Sequence, residues 1–171
     1  MTTPLWTSHD AATATGGTAA IDWSANGISI DTRSLEKGDL FIALAGPNFD
    51  GHDFVDTAFG AGAAAALVAR KEALKERPGL VSDDTLEAMK ALGAAARART
   101  DAKIAAITGS VGKTGTKEAL AHILSAQGET GYSKNSLNND IGVPLSAARM
   151  PASAAFGVLE IGMSHAGEIT P

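Results

Sequence analysis

The sequence has no cysteine among its 171 residues, which excludes a disulfide framework and any chemistry that needs a thiolate. Positive charge is also in short supply, because 14 lysines and arginines face 19 aspartates and glutamates and the formal net charge is −5. This balance argues against broad electrostatic binding to nucleic acid, so no nucleic-acid partner is expected. The lack of thiols fits a reducing compartment, and we expect a cytoplasmic location.

Long apolar runs are missing as well. The longest, residues 58–69, is dominated by alanine and is well short of the ~20 residues that span a bilayer. Met1 is followed by polar residues and Asp10, without the basic start and apolar centre of a secretory signal. The sequence therefore predicts a protein that is not inserted into a membrane.

The most informative stretch is TGSVGKTGTKE, residues 108–118. It follows an apolar run, residues 104–107, that predicts a buried strand, and it precedes a helical pattern. The apolar face of that predicted helix is marked by Ala119, Leu120, Ile123 and Leu124. A strand, a glycine loop, a lysine, a hydroxyl and a helix form the order of a phosphate-binding loop. The first glycine of the general pattern G-x-x-x-x-G-K-[ST] would fall at Ile107, so the glycine spacing is shorter here.

Each residue type in this loop suits a nucleotide triphosphate. Gly109 and Gly112 allow a tight turn that directs N–H groups at phosphate oxygens, and the helix N-terminus adds partial positive charge. Lys113 supplies a full charge, and the Thr114 hydroxyl suits Mg²⁺. An ordinary strand-to-helix turn is the structural alternative. We predict ATP and Mg²⁺ as cofactors, with these contacts: Thr108, Gly109, Ser110, Val111, Gly112, Lys113, Thr114 and Gly115.

Strand and helix signals alternate on both sides of the loop, which indicates the α/β class. Two predicted strands, Gly27–Asp31 and Asp39–Leu44, resemble a hairpin with its turn at Lys37-Gly38. The predicted domains are a small mixed α/β domain (1–82), a connecting helix and linker (83–103) and the start of a P-loop-type parallel-sheet domain (104–171). A doubly wound sheet has about five or six strands, so we expect this chain to be an N-terminal fragment.

Four stretches together resemble the Mur ligases, the amide-forming enzymes of peptidoglycan precursor synthesis. TGSVGKTGTKE resembles their ATP loop with its shortened glycine spacing, and NSLNNDIGVP (135–144) resembles the asparagine-rich motif that follows the loop's helix. LEIGMSHAGEI (159–169) resembles the strand end that carries a magnesium-binding glutamate. Residues 30–59, IDTRSLEKGDLFIALAGPNFDGHDFVDTAF, resemble the UDP-binding N-terminal domain.

The resemblance implies an ATP-dependent ligase that phosphorylates a carboxylate and lets an amine attack the acyl phosphate. GKTGTKE together with NSLNNDIGVP is most similar to the branch that joins D-alanyl-D-alanine to UDP-N-acetylmuramoyl-tripeptide. These are the implied substrates, with the D-alanyl-D-alanine site beyond residue 171, so we expect this chain to be inactive alone. The alternatives are a sister ligase with another amine, a P-loop kinase or GTPase, and a non-catalytic module that binds a UDP-sugar.

The resemblance also implies site residues. Glu160 and Thr114 would hold Mg²⁺, and Lys113 and Glu160 are the candidate catalytic groups. The implied substrate contacts are Asp31, Thr32, Arg33, Asn48, Asp50, His52, Asn138 and Asn139, with Asn135 as a weaker candidate.

Each of these assignments has a structural alternative. Glu160 would form a salt bridge or cap, Asp31 and Arg33 would pair with each other, and His52 would cap the following helix. The two asparagines would form a turn. His165 is interpreted as a surface or structural residue, and the pair Lys117-Glu118 as a solvated helix face.

Overall fold

A computed structural model of the protein describes residues 3–47, 49–134 and 137–163. The expectations for Asn48, Asn135 and His165 therefore lie outside the described residues. The strands are β1 (Trp6–Thr7), β2 (Ser24–Ala25), β3 (Gly27–Ser29), β4 (Asp39–Ile42), β5 (Ala45–Gly46), β6 (Phe49–Asp50), β7 (Ala65–Val68), β8 (Gly79–Val81), β9 (Lys103–Ile107), β10 (Thr130–Tyr132) and β11 (Phe156–Glu160). The helices are α1 (Ser8–Thr15), α2 (Val55–Gly60), α3 (Thr85–Ala98), α4 (Lys113–Ser125) and α5 (Gly142–Ala148), with 3₁₀ turns at Gly51–Phe54 and Lys71–Leu74.

The chain forms two compact units, Met1–Leu92 and Gly93–Pro171. The division falls within α3, the helix that the sequence predicts as a connector. The Asp84 carboxylate caps this helix by accepting hydrogen bonds from the N–H groups of Leu86 and Glu87, as expected of an N-terminal aspartate. The predicted domain limits at 82 and 103 stay a prediction.

The first unit is built on a parallel sheet with the strand order β3-β4-β7-β8. β4 and β7 are buried at every position, which is typical of the interior of a parallel sheet covered on both faces. Phe41, Val55 and Val68 belong to one apolar cluster between this sheet and α2. The sheet aligns the carboxyl ends of its strands, and Asp31, Thr32 and Arg33 follow the end of β3.

The predicted hairpin is wrong, because β3 and β4 are parallel, with Gly27 opposite Asp39 and Ser29 opposite Phe41. Residues 30–38 carry the chain back to the start of β3 before β4 begins. The Gly38 carbonyl accepts a hydrogen bond from the Asn26 N–H, and the Gly38 N–H donates to the Gly62 carbonyl. Gly38 has φ 93°, so it ends a return connection and is not the tip of a two-strand turn.

The second unit contains a parallel sheet with the order β10-β11-β9. β11 lies between the other two strands, and its last residue, Glu160, is opposite Ile107 at the end of β9. The phosphate-loop segment and Glu160 therefore leave the same edge of the sheet. β9 is a strand as predicted, but its residues are exposed or half-buried, whereas the sequence predicts a buried strand. The α/β class is confirmed.

Helix α4 buries a face that its apolar pattern does not predict. Lys117 and Ala121 are its buried residues, whereas Ile123 is exposed. The expected apolar face is therefore only partly correct. Within the described residues, no helix is both long and apolar enough to cross a membrane.

Candidate phosphate and metal site

The glycine loop connects the end of β9 to the first residue of α4, Lys113. Gly109 and Gly112 have φ angles of 144° and 79°, which side chains with a Cβ atom rarely adopt. Within the described residues, no side-chain hydrogen bond caps α4 at Gly112. The first N–H groups of this 13-residue helix are thus available to an anion.

The Lys113 side chain folds back over the loop. Its Nζ donates a hydrogen bond of 2.7 Å to the Gly109 carbonyl. This contact places the ammonium group beside the turn whose N–H groups would face a phosphate. Val111, at the tip of the loop, is 90% exposed, so a ligand can approach the loop from solvent.

Glu160 is the meeting point of the second unit's polar side chains. Thr114 Oγ1 lies 3.2 Å and 3.4 Å from the two carboxylate oxygens of Glu160. Asn138 Nδ2 donates to Glu160 Oε1 at 2.9 Å, and the Glu160 N–H donates to Ser133 Oγ at 3.3 Å. Two segments distant from Glu160 in sequence therefore contact its carboxylate next to the first turn of α4, and Ser133 binds the backbone of the same residue.

Lys117 completes this arrangement and was missed by the sequence interpretation. Its side chain is 0% exposed, and its Nζ lies 3.6 Å from Glu160 Oε2 and 3.1 Å from Glu118 Oε1. The expected solvated face is therefore wrong for Lys117, although it holds for the exposed Glu118. Its position three residues after Thr114 on a helix was the available signal, because residues at that spacing share a face.

The pKa of Glu160 results from opposing effects. Burial raises the pKa, but hydrogen bonds from Asn138 and Thr114 and the charge of Lys117 lower it, and the net shift is downward. The site therefore holds an ionised carboxylate although the Glu160 side chain is only 1% exposed.

The donor set fits Mg²⁺ bound together with phosphates. Thr114 and Glu160 offer a hydroxyl and a carboxylate oxygen, and Mg²⁺ commonly takes one or two protein oxygens and completes its shell with phosphate and water. Among the described residues, no group of three or more His, Cys, Asp or Glu side chains converges to hold a metal. A divalent cation here thus needs further ligands, which a nucleotide supplies.

The two predicted asparagines have structural partners. The side-chain amide of Asn138 donates to Glu160, and the backbone carbonyl of Asn138 accepts a 2.7 Å hydrogen bond from the Gly162 N–H. Asn139 Oδ1 accepts a hydrogen bond from the Gly142 N–H at the start of α5. The described contacts make Asn138 a partner of the candidate metal ligand, and substrate binding by either residue stays a prediction.

In the first unit, Asp31 and Arg33 form an ion pair with each other, which is the structural alternative to substrate contact that the sequence indicates. Arg33 Nε and Nη2 donate to the Asp31 carboxylate at 2.5–3.1 Å, and Thr32 lies in the turn between them. Hydrogen bonding from Arg33 lowers the pKa of Asp31 to about 2. The Arg33 side chain is 88% exposed, so its remaining N–H groups can still meet an anionic ligand.

His52 is held through both ring nitrogens. Nε2 accepts a 2.9 Å hydrogen bond from the Ala69 N–H, and Nδ1 lies 2.6 Å from Asp50 Oδ1. A neutral ring with its proton on Nδ1 satisfies both contacts. Hydrogen bonds from the His52 backbone and ring, and then from Arg70, lower the pKa of Asp50. His52 thus positions Asp50, and contact of either residue with a substrate stays a prediction.

Comparison with known proteins agrees with this geometry. The family described as "Mur ligase family, catalytic domain" matches residues 24–128, and "Mur ligase middle domain" matches residues 107–170. The chain belongs to the Mur ligase family. The family matches cover the parallel sheets of both units, the glycine loop and Glu160.

Similar proteins are longer Mur ligases. A UDP-N-acetylmuramoyl-tripeptide–D-alanyl-D-alanine ligase of Escherichia coli is 44% identical over 148 residues, which are 86% of this chain and 32% of that protein. A crystal structure of MurF from Acinetobacter baumannii matches with a TM-score of 0.79 and 38% identity, over 98% of this chain and 38% of that one. MurF ligase from Thermotoga maritima in complex with ADP matches with a TM-score of 0.62 and 30% identity, over 84% of this chain and 33% of that one. The chain spans about a third of the length of these relatives.

Proposed function

We propose that this Mur ligase chain supplies the UDP-substrate unit and the phosphate loop of an ATP-dependent ligase that joins D-alanyl-D-alanine to UDP-N-acetylmuramoyl-tripeptide. The observation that carries the proposal is the convergence of Thr114 and Glu160 beside a glycine loop that opens α4. The named D-alanyl-D-alanine ligases among the relatives support the choice of amine.

The loop suits the first step of such a ligation, phosphoryl transfer from ATP to a carboxylate. The N–H groups at the start of α4 would bind phosphate oxygens, and Lys113 would neutralise the charge that develops on the transferred group. Thr114 and Glu160 would hold Mg²⁺, which supplies further positive charge to the phosphates when bound. The similarity to the Thermotoga maritima MurF ligase in complex with ADP supports a nucleotide at this loop.

The first unit would hold the UDP part of the acyl substrate at the carboxyl ends of its strands. Arg33 combines exposure with a guanidinium group that binds phosphate oxygens well, and Asp31 fixes its orientation. Asp50, fixed by His52 and Arg70, offers acceptor oxygens to ribose or uracil donors. D-alanyl-D-alanine is assigned to none of the described residues.

The direct test is ADP release by the full-length protein that contains this chain. We expect release to require both UDP-N-acetylmuramoyl-tripeptide and D-alanyl-D-alanine, and to fall at least a hundredfold in Lys113→Ala. Single amino acids in place of D-alanyl-D-alanine test for a sister ligase. ADP release that needs a single amino acid, or needs no acyl substrate, would contradict the proposal.

A further inference from the structure

The position of Lys117 calls for a physical explanation. Its side chain is fully buried on α4, and its ammonium group lies between Glu160, which is also buried, and the half-exposed Glu118. Removing a lysine charge from water is costly even when it is paired. An alkyl side chain would fill the same face of α4 without that cost, so packing alone does not explain a lysine.

The location of the ammonium suggests what the charge does. Lys117 Nζ is 3.6 Å from Glu160 Oε2, and the same carboxylate faces the Thr114 hydroxyl. A divalent cation held by Thr114 and Glu160 would therefore lie within a few ångströms of a fixed positive charge. Like charges at such separations repel strongly, more so where water is excluded.

The charge balance of the site points the same way. Among the described residues, Glu160 is the carboxylate that faces Thr114, and Lys117 lies between it and Glu118. Lys113 adds a second positive charge at the loop. Without a nucleotide, the protein offers little net negative charge to attract a metal, whereas the phosphates of a bound nucleotide would supply it.

We propose that Lys117 is an internal counter-ion of Glu160 that disfavours binding of a bare divalent cation, so that the metal enters as a complex with the nucleotide. The proposal rests on the metal–nucleotide site of the proposed function. In the empty site Lys117 takes the electrostatic place of the metal and keeps Glu160 charged and oriented. Lys117 thus sets the order in which the metal ion and the nucleotide bind.

The test is a titration of the full-length protein with Mn²⁺, followed by the electron paramagnetic resonance signal of the free ion, with and without ADP. Lys117→Gln removes the charge and keeps hydrogen-bond donors, whereas Lys117→Arg keeps the charge. Lys103→Gln is the matched control, because it removes an exposed charge at the opposite end of β9.

Without ADP, we expect Lys117→Gln to bind Mn²⁺ at least tenfold more tightly than the wild type. Lys117→Arg and Lys103→Gln should stay within threefold of the wild type. With ADP, the wild type should bind Mn²⁺ at least tenfold more tightly than without it. Thermal melting and ADP binding in EDTA report whether each variant is folded, and Lys117→Met replaces Lys117→Gln if the latter is not.

Two results would overturn the inference. One is a folded neutral variant whose affinity for Mn²⁺ without ADP is equal to or weaker than that of the wild type. The other, which needs no variant, is a wild type that binds Mn²⁺ equally well with and without ADP. If ADP brings Mn²⁺ to none of these proteins, the proposed function itself fails, and the inference fails with it.

Discussion

The carboxylates of the candidate sites in the two units differ in burial and in the sequence distance of their partners. In the first unit, Asp31 pairs with Arg33 across a short turn, and both side chains are in contact with solvent at 36% and 88% exposure. In the second unit, Glu160 is buried, and its carboxylate is contacted by Thr114 and Lys117 of α4 and by Asn138 from a separate segment. The first arrangement is local and open, whereas the second is non-local and closed.

In the proposed function, this difference separates recognition from chemistry. An exposed ion pair in water contributes little to stability, but it would keep an arginine oriented toward an arriving anion. A buried carboxylate requires partners, and those partners fix its position to the precision that a metal ligand needs. We therefore expect substitutions in the second unit to affect both stability and metal binding, and those in the first to affect mainly the ligand.

The largest effect is expected for Glu160→Ala. Loss of this carboxylate removes the buried negative charge beside the Lys117 ammonium, and breaking such a pair costs about 3 kcal/mol of unfolding free energy. Urea denaturation measures the change. Glu118→Ala is the matched control, and it should cost less than about 1 kcal/mol because Glu118 is half-exposed. Equal losses in the two variants would contradict the assignment of Glu160 as the main charge partner of Lys117.

A smaller effect, on the affinity for the metal ion, is expected for Asn138→Ala. Removing its amide takes a hydrogen bond from Glu160 Oε1, and loss of a partner of a metal ligand lowers metal affinity by about 10-fold. Mn²⁺ binding in the presence of ADP measures this. Asn139→Ala removes the hydrogen bond that the Gly142 N–H donates at the start of α5 and does not touch Glu160, so it should lower the melting temperature and leave Mn²⁺ affinity unchanged. Weaker Mn²⁺ binding in Asn139→Ala alone would contradict the assignment.

The smallest effect on stability is expected for Arg33→Ala. The pKa of Asp31 is held at about 2 by Arg33, so the pair stabilises the fold above the unfolded-state pKa of about 3.9 and this contribution is lost as pH falls through about 2. The variant should raise the pKa of Asp31 toward its ordinary value. The free energy of unfolding should then depend less on pH in the acid range. Carboxyl NMR titration measures this, with Arg70→Ala as the control. An Asp31 pKa that stays near 2 would show that Arg33 does not cause the shift.

Local patterns in the sequence predict much of the fold. The strand, glycine loop and helix predicted around residues 104–124 are found as β9, the loop and α4, because apolar spacing and glycines are local signals. Glu160 is the last residue of β11, and the sequence places it near a strand end only through the resemblance of residues 159–169 to the strand end of the family. Strand direction was not predicted, because the hairpin interpretation used only the turn formers Lys37-Gly38, and those residues end a return connection instead.

The partners of Glu160 show which contacts sequence patterns do not predict. Thr114 was predicted beside Glu160 as a metal ligand, but Lys117 was interpreted as solvated because lysine is rarely fully buried. Asn138 was assigned to a substrate, whereas the structure places its amide on Glu160. Helical spacing puts Lys117 on the same face as Thr114, but whether that face is buried, and where Asn138 meets Glu160, depends on tertiary packing that no local pattern encodes.

The measurement that tests the account most directly is the affinity of the full-length protein for ADP, in Mg²⁺ and in EDTA, for the wild type and Thr114→Val. Valine keeps the shape of threonine and removes the hydroxyl that faces Glu160. The account predicts that Mg²⁺ tightens ADP binding in the wild type, that Thr114→Val loses this tightening, and that binding in EDTA is the same in both. Full tightening in Thr114→Val would contradict the assignment of Thr114 and Glu160 as the metal site.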